Sequence, residues 1–121
     1  MEDPTTVFVY GTLKRGCRNH HVLRSAEFLG EAWTQPLYRM VNCGSYPGLV
    51  RVGCAHEGHA TQGELYRVDA PLLAVLDAFE DVPREYIRAS IELQNGAAAQ
   101  SYFYCGDTAH LPLCGAVWAE K

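Results

Sequence analysis

The chain has 121 residues and a mass of 13.4 kDa, which predicts one domain over residues 1–121 with a hydrophobic core that needs no disulfide. Hydrophobic residues make up 48% and charged residues 20%, a globular composition and not a disordered one. A net charge of −4 gives no support for nucleic-acid binding, no apolar run reaches the length of a membrane span, and Met1-Glu2-Asp3-Pro4 lacks the basic and apolar parts of a signal peptide, so a cytoplasmic protein with neither nucleic-acid nor membrane partners is expected.

In chain order, residues 5–10 read as a central strand, because Val7 to Tyr10 is apolar on both faces. The run stops at Gly11, and Gly11 to Asn19 reads as a loop. A strand that ends in a Gly turn leaves consecutive backbone N–H groups without a ladder partner, and such a nest can hold a carboxylate. His20 to Ala26 has the pattern of a short helix capped by Asn19. Phe28 to Val41 is strand material broken at Pro36. Tyr46-Pro47-Gly48 reads as a turn and Gly48 to Val52 as a short strand. Thr61 to Val68 is a further strand.

The best helix covers residues 70–80. Asp69 suits its N-cap, and Pro71 is tolerated in its first turn. Leu72, Val75, Leu76 and Phe79 fall on one stripe, and Pro83 disfavours helix at Val82. Beyond it, residues 86–94 and 97–105 flank Asn95-Gly96, a signal for a two-residue type I′ hairpin. The alanines Ala97 to Ala99 leave the register open. The pattern weakens from Gly106 on. These elements predict a mixed α/β class with a curled, mostly antiparallel sheet, and pattern does not choose between an open sheet and a barrel.

On a helical wheel at about 100° per residue, Asp77 and Asp81 point away from the stripe. Glu80 lies on its flank, between the directions of Leu73 and Leu76. Burial and the negative end of the helix dipole both push such a carboxyl upward in pKa. That suits a base that later returns its proton near neutral pH; the alternative is a solvated glutamate at a frayed helix end.

Other groups have plainer readings. The five cysteines (Cys17, Cys43, Cys54, Cys105, Cys114) are odd in number and show no Cys-x-x-Cys spacing, so they read as small buried hydrophobes in a reducing compartment. Cys54-x-His56-x-x-His59 has metal-ligand residue types but not the spacing or fourth ligand of a zinc site, so no metal is expected. Lys14, Arg15, Arg18, His20, His21 and Arg24 read as a solvated basic face, and Tyr102-Phe103-Tyr104 as an aromatic strand.

Tyr10-Gly11-Thr12-Leu13-Lys14-x-Gly16, then Leu76-Asp77-x-Phe79-Glu80, Pro83 and Tyr86-x-Arg88 together resemble the γ-glutamylcyclotransferase-like superfamily. The similarity is greatest to the γ-glutamylamine cyclotransferase branch, which also holds an aminoglycoside-biosynthesis enzyme that removes a γ-glutamyl protecting group. The resemblance covers about residues 6–105 and implies a small curled mixed β-barrel with packed helices. It places Tyr10, Gly11, Thr12 and Leu13 in the loop that grips the γ-glutamyl head, makes Glu80 the catalytic carboxylate, and sets Tyr104 facing the pocket. Tyr86 and Arg88 match a recurrent element that serves either the pocket or packing. It also implies a reaction. The α-amine of a γ-glutamyl amide attacks the γ-carbonyl, closes 5-oxoproline and frees an amine, with no cofactor and one small-molecule substrate. The leaving amine and the oligomeric state are not fixed by the residues. A non-catalytic binding module on the same fold is the competing reading, and a metal- or redox-responsive protein built on the Cys54–His59 loop is a further one.

Overall fold

A computed structural model describes residues 4–53 and 57–119. The strands are β1 (Thr5–Val9), β2 (Glu27–Trp33), β3 (Tyr38–Asn42), β4 (Pro47–Arg51), β5 (Gln62–Val68), β6 (Tyr86–Glu92) and β7 (Ala98–Tyr104). One α-helix, α1 (Ala70–Phe79), links β5 to β6. The sheet runs β2-β5-β1-β7-β4-β3, with β6 paired to the other side of β7. The β1–β7 and β4–β7 pairs are parallel and the rest antiparallel, so the expected mixed, mostly antiparallel class is found. The sheet does not close into a barrel. An isolated bridge, Thr34 to Leu93, is what joins the ends of β2 and β6.

Strand β1 lies between β5 and β7 and buries both faces, as its unbroken apolar run requires. Val7 and Val9 enter one cluster with Leu13, Leu23, Tyr66, Val68, Leu76, Tyr86 and Tyr102. Phe8 and Tyr10 enter a second with Tyr38, Met40, Leu49, Ile91 and Phe103. The alternation is the period of two of any strand.

Strand β7 meets β1 at Val7↔Gln100 and β4 at Leu49↔Phe103, so β1 ends about where β4 begins along the same edge. The Tyr10 hydroxyl fills this fork, donating to the Tyr102 carbonyl (2.7 Å) and accepting from the Leu49 N–H (3.1 Å). The chain must leave the sheet there, and the turn at Gly11 is the exit.

Local departures from the expected pattern have physical causes. Residues 20–26 form only a short 3-10 helix, His20–Leu23, and Asn19 does not cap it. Instead the Asn19 side-chain amide donates to Thr12 Oγ1 (3.0 Å) and its backbone N–H to the Thr12 carbonyl (3.0 Å), so tertiary contact takes the cap. The β3–β4 connection turns at residues 43–46, and Pro47 already pairs with Asn42. The β6–β7 hairpin is not type I′. Leu93 C=O accepts from the Gly96 N–H (3.0 Å), Leu93 N–H donates to Ala97 O (2.9 Å), and Gly96 alone in the turn has positive φ (87°). That is a three-residue loop with a glycine bulge, and it sets Glu92 opposite Ala98.

Helix α1 starts as expected, with Asp69 Oδ1 accepting from the Leu72 N–H (2.9 Å). Its buried face is turned toward Leu73 and Leu76, leaving Val75 53% and Phe79 42% exposed. Asp77 therefore does not face solvent. It pairs with Arg88 (Nε to Oδ1, 2.9 Å) and accepts from the Tyr102 hydroxyl (2.7 Å). Buried or half-buried charged hydrogen bonds are worth about 1.5–3 kcal/mol, so Asp77→Ala is expected to lower unfolding free energy by about that much in a denaturant titration. A loss under about 0.5 kcal/mol, the size of an ordinary surface change, would refute the network.

The C-terminal segment, where the sequence pattern is weak, is held by the fold. Asn42 N–H donates to Pro112 O, Cys114 N–H to Met40 O and Gln62 N–H to Ala116 O. Lys14, expected in a solvated basic face, is buried, and its ammonium donates to Trp118 O (2.7 Å). Cys43 and Cys114 are half-buried, but Cys105 is exposed, against expectation. Among the described residues no helix is long and apolar enough to cross a membrane.

Candidate active site

The exit of β1 from the sheet opens a cleft of about 180 Å³ lined by Tyr10, Gly11, Thr12, Leu13, Glu80 and Tyr86, and also by Arg18, Asn19, Tyr46, Pro47, Phe79, Glu85 and Tyr102. One wall is the turn 10–13. Lys14 N–H returns to Gly11 O (3.1 Å) and Arg15 N–H donates to the buried Glu64 carboxylate (2.8 Å), which pins the far side of the turn. Among the described residues no protein acceptor takes the N–H groups of Gly11, Thr12 and Leu13, although all three residues are buried. N–H groups without a protein acceptor at the wall of a cleft are open to a bound anion.

The end of α1 also lines the cleft, through Phe79 and Glu80. Glu80 is the C-cap residue, with its N–H donating to Leu76 O (2.9 Å). Leu76 is fully buried in the cluster that also holds Leu13, so the helix end and the turn are anchored in one core. The Glu80 carboxyl is pushed up to about 7, first by burial and second by the charge of Glu85.

Two residues singled out from the sequence stand elsewhere. Arg88 is outside the cleft, tied to Asp77 and to Gln100 Oε1 (3.2 Å). Through Asp77 it steadies Tyr102, which does line the cleft. Tyr104 is not among the lining residues; it stacks edge-on against Tyr86 with ring centroids 5.6 Å apart. The Tyr86 hydroxyl donates to Pro47 O (2.7 Å), and burial drives its pKa far up, so it is a fixed wall and not an acid. Arg18, one of the basic face read from the sequence, lines the cleft with Tyr46 and Glu85; the three come from separate loops, and no local spacing joins them.

Cys54 and His56 lie outside the described residues. His59 bridges Tyr38 through its backbone (2.8 Å). Among the described residues no three His, Cys, Asp or Glu side chains are grouped to hold a metal.

The cleft thus brings together a turn whose N–H groups have no protein acceptor among the described residues and a carboxyl pushed up to about 7. The sequence pattern of the γ-glutamyl cyclotransferase, AIG2-like family matches residues 7–119, and the chain belongs to that family. A Vibrio cholerae protein named as a γ-glutamylcyclotransferase is 48% identical over 93 residues, covering 76% of each chain. The γ-glutamylaminecyclotransferase A of Danio rerio is 39% identical over 113 residues, covering 84% of this chain and 69% of its own. The crystal structure of an AIG2-like protein from Mus musculus superposes with a TM-score of 0.73 at 32% identity, covering 95% of this chain and 88% of that one.

Proposed function

We propose that this protein cleaves a γ-glutamyl amide of a small amine, releasing 5-oxoproline and the amine. The observation that carries the reading is Glu80, a carboxyl held near pKa 7 in the same cleft as the turn N–H groups. The glutamyl α-carboxylate binds the donors of Gly11, Thr12 and Leu13 beside the Arg18 guanidinium. Glu80 takes a proton from the α-ammonium. The freed amine nitrogen attacks the γ-carbonyl carbon and closes the five-membered ring. The bond from that carbon to the amide nitrogen then breaks as Glu80 returns the proton to the leaving nitrogen, and the ring nitrogen gives up its second proton to the released amine, which departs as an ammonium. Holding amine and carbonyl folded together supplies much of the rate, and the fixed rings of Tyr86 and Tyr102 suit that task. A cytoplasmic location belongs to the same proposal, since a reducing compartment suits the free thiols of Cys43, Cys105 and Cys114.

Incubation with a panel of γ-glutamyl amines and γ-glutamyl peptides is expected to yield 5-oxoproline from the amines. Binding of the panel without any 5-oxoproline would instead establish a non-catalytic module. The proton route uses only a carboxylate, so turnover is expected to survive exhaustive chelation unchanged. Loss on chelation with recovery on adding zinc would overturn the route.

A further inference from the structure

The donors of the turn are aimed by what holds its carbonyls. A trans peptide unit is planar, so its C=O and N–H point opposite ways, and whatever takes the carbonyl of one residue aims the N–H of the next. Gly11 O accepts from the Lys14 N–H (3.1 Å), which aims the Thr12 N–H, and Thr12 O accepts from the Asn19 N–H (3.0 Å), which aims the Leu13 N–H. Lys14 also opens the following turn, because its carbonyl accepts from the Cys17 N–H (3.0 Å). The position of Lys14 therefore governs the peptide between Gly11 and Thr12.

The Lys14 side chain fixes that position. It is buried, and its ammonium donates to Trp118 O (2.7 Å), 104 residues further on. Among the described residues no carboxylate pairs with it. An ammonium buried against one neutral carbonyl gains little stability, since an apolar chain fills the same space without the cost of desolvation. What the bond does is tie the turn to the C-terminal segment. Residues 112–118 cross the sheet as a strap. Pro112 O accepts from the Asn42 N–H of β3, the Cys114 N–H donates to Met40 O, and Ala116 O accepts from the Gln62 N–H of β5. Trp118 then packs on the cluster that holds Tyr10, the first residue of the turn.

We propose that Lys14 is a positioning residue through which the docked C-terminal strap tightens the hold of the turn on the substrate, so that substrate binding and strap docking reinforce each other. The inference rests on the cyclotransferase reading above. Such coupling is reciprocal: the factor by which docking tightens binding is the factor by which a bound ligand favours docking.

Kinetics give the first half of the test, with the amide cleaved fastest in the panel above. Lys14→Met keeps the bulk of the side chain but cannot donate. It is expected to raise KM by about tenfold with kcat unchanged, a size usual for coupling between sites. Lys14→Arg, which donates again, is expected to recover part of the loss. Hydrogen exchange gives the second half, followed in the full-length protein at the Cys114 and Gln62 amides, whose bonds hold the strap. The probe is glutaric acid mono-n-butylamide at saturation, a γ-glutamyl amide without its α-amine, which keeps the carboxylate and cannot cyclise. In wild-type protein the probe is expected to slow exchange at both amides by about the same tenfold factor, and in Lys14→Met to leave it unchanged. A lysine with a structural role alone would lower stability without linking the probe to the strap. An unchanged KM in Lys14→Met overturns the inference. So does a raised KM with no slowing in wild-type protein, which would make Lys14 a charge acting on the substrate directly. If Lys14→Met gives no soluble protein, the wild-type exchange decides by itself. No 5-oxoproline from any amide of the panel sinks the cyclotransferase reading; 5-oxoproline release with strap exchange indifferent to the probe sinks only the role of Lys14.

Discussion

Glu80→Gln is expected to lower turnover by at least about a hundredfold, since positioned acid–base catalysis is worth ~10² to 10⁴ in rate. Glutamine keeps the shape and reach of the side chain but removes the base. Substrate is still expected to bind, because the donors of Gly11, Thr12 and Leu13 are untouched. In wild-type protein kcat/KM should rise with pH through an inflection near 7, where Glu80 loses its proton. Stability should follow the opposite trend. The folded-state pKa is raised from 4.5 to about 7, so between those values the folded chain holds more proton than the unfolded chain. The linked stability is present in full below pH 4.5 and is lost as pH rises through 7. At about 1.4 kcal/mol per unit the loss is at most about 3.5 kcal/mol, and Glu80→Gln should abolish it. Asp81→Asn is the control. Its ion pair with Arg84 is on the surface, and its φ of 54° is one that asparagine adopts readily. Near-normal 5-oxoproline release by Glu80→Gln would end the assignment, and an equal loss in Asp81→Asn would point to helix damage.

Gly11→Ala is expected to raise KM by about tenfold or more and to lower stability by about 1–3 kcal/mol, the usual cost of overpacking. The cause is contact, because a Cβ on Gly11 would sit 2.6 Å from Pro47 Cγ and 2.9 Å from Cδ. A proline ring at the first position of β4 cannot swing aside, so the turn must move. Its N–H groups move with it, and the grip on the glutamyl head loosens. Gly11→Val should be worse in both respects. Calorimetric titration with an unreactive γ-glutamyl analogue separates binding from folding. A folded Gly11→Ala protein with wild-type affinity would remove the turn from the site.

Some of this protein is readable from local sequence. The unbroken run Val7 to Tyr10 requires a strand buried on both faces, and β1 is one. Asp69 capping a helix that ends at Phe79 follows from cap chemistry and periodicity, as does the position of Glu80 on the flank of the apolar stripe. Motif spacing carried the family.

Other features depend on contacts between distant segments, which no local window contains. Asn19 could cap a helix or bond Thr12, and the packed loop chose Thr12. Asp77 lies outward on an isolated helical wheel, yet the helix is rotated so that Arg88 and Tyr102 reach it. Asn95-Gly96 announces a hairpin, but its register is set by how Ile91 and Ala99 enter the core. Whether the sheet closes depends on how far β2 and β6 run together, and they meet at one bridge. By itself, then, the sequence determined the central strand, the helix and its cap, the flank position of Glu80, and the family. Only the tertiary structure decided the fork at β7, the second carboxylate at Glu85, and the exclusion of Arg88 and Tyr104 from the cleft, because each is fixed by packing between segments far apart in the chain.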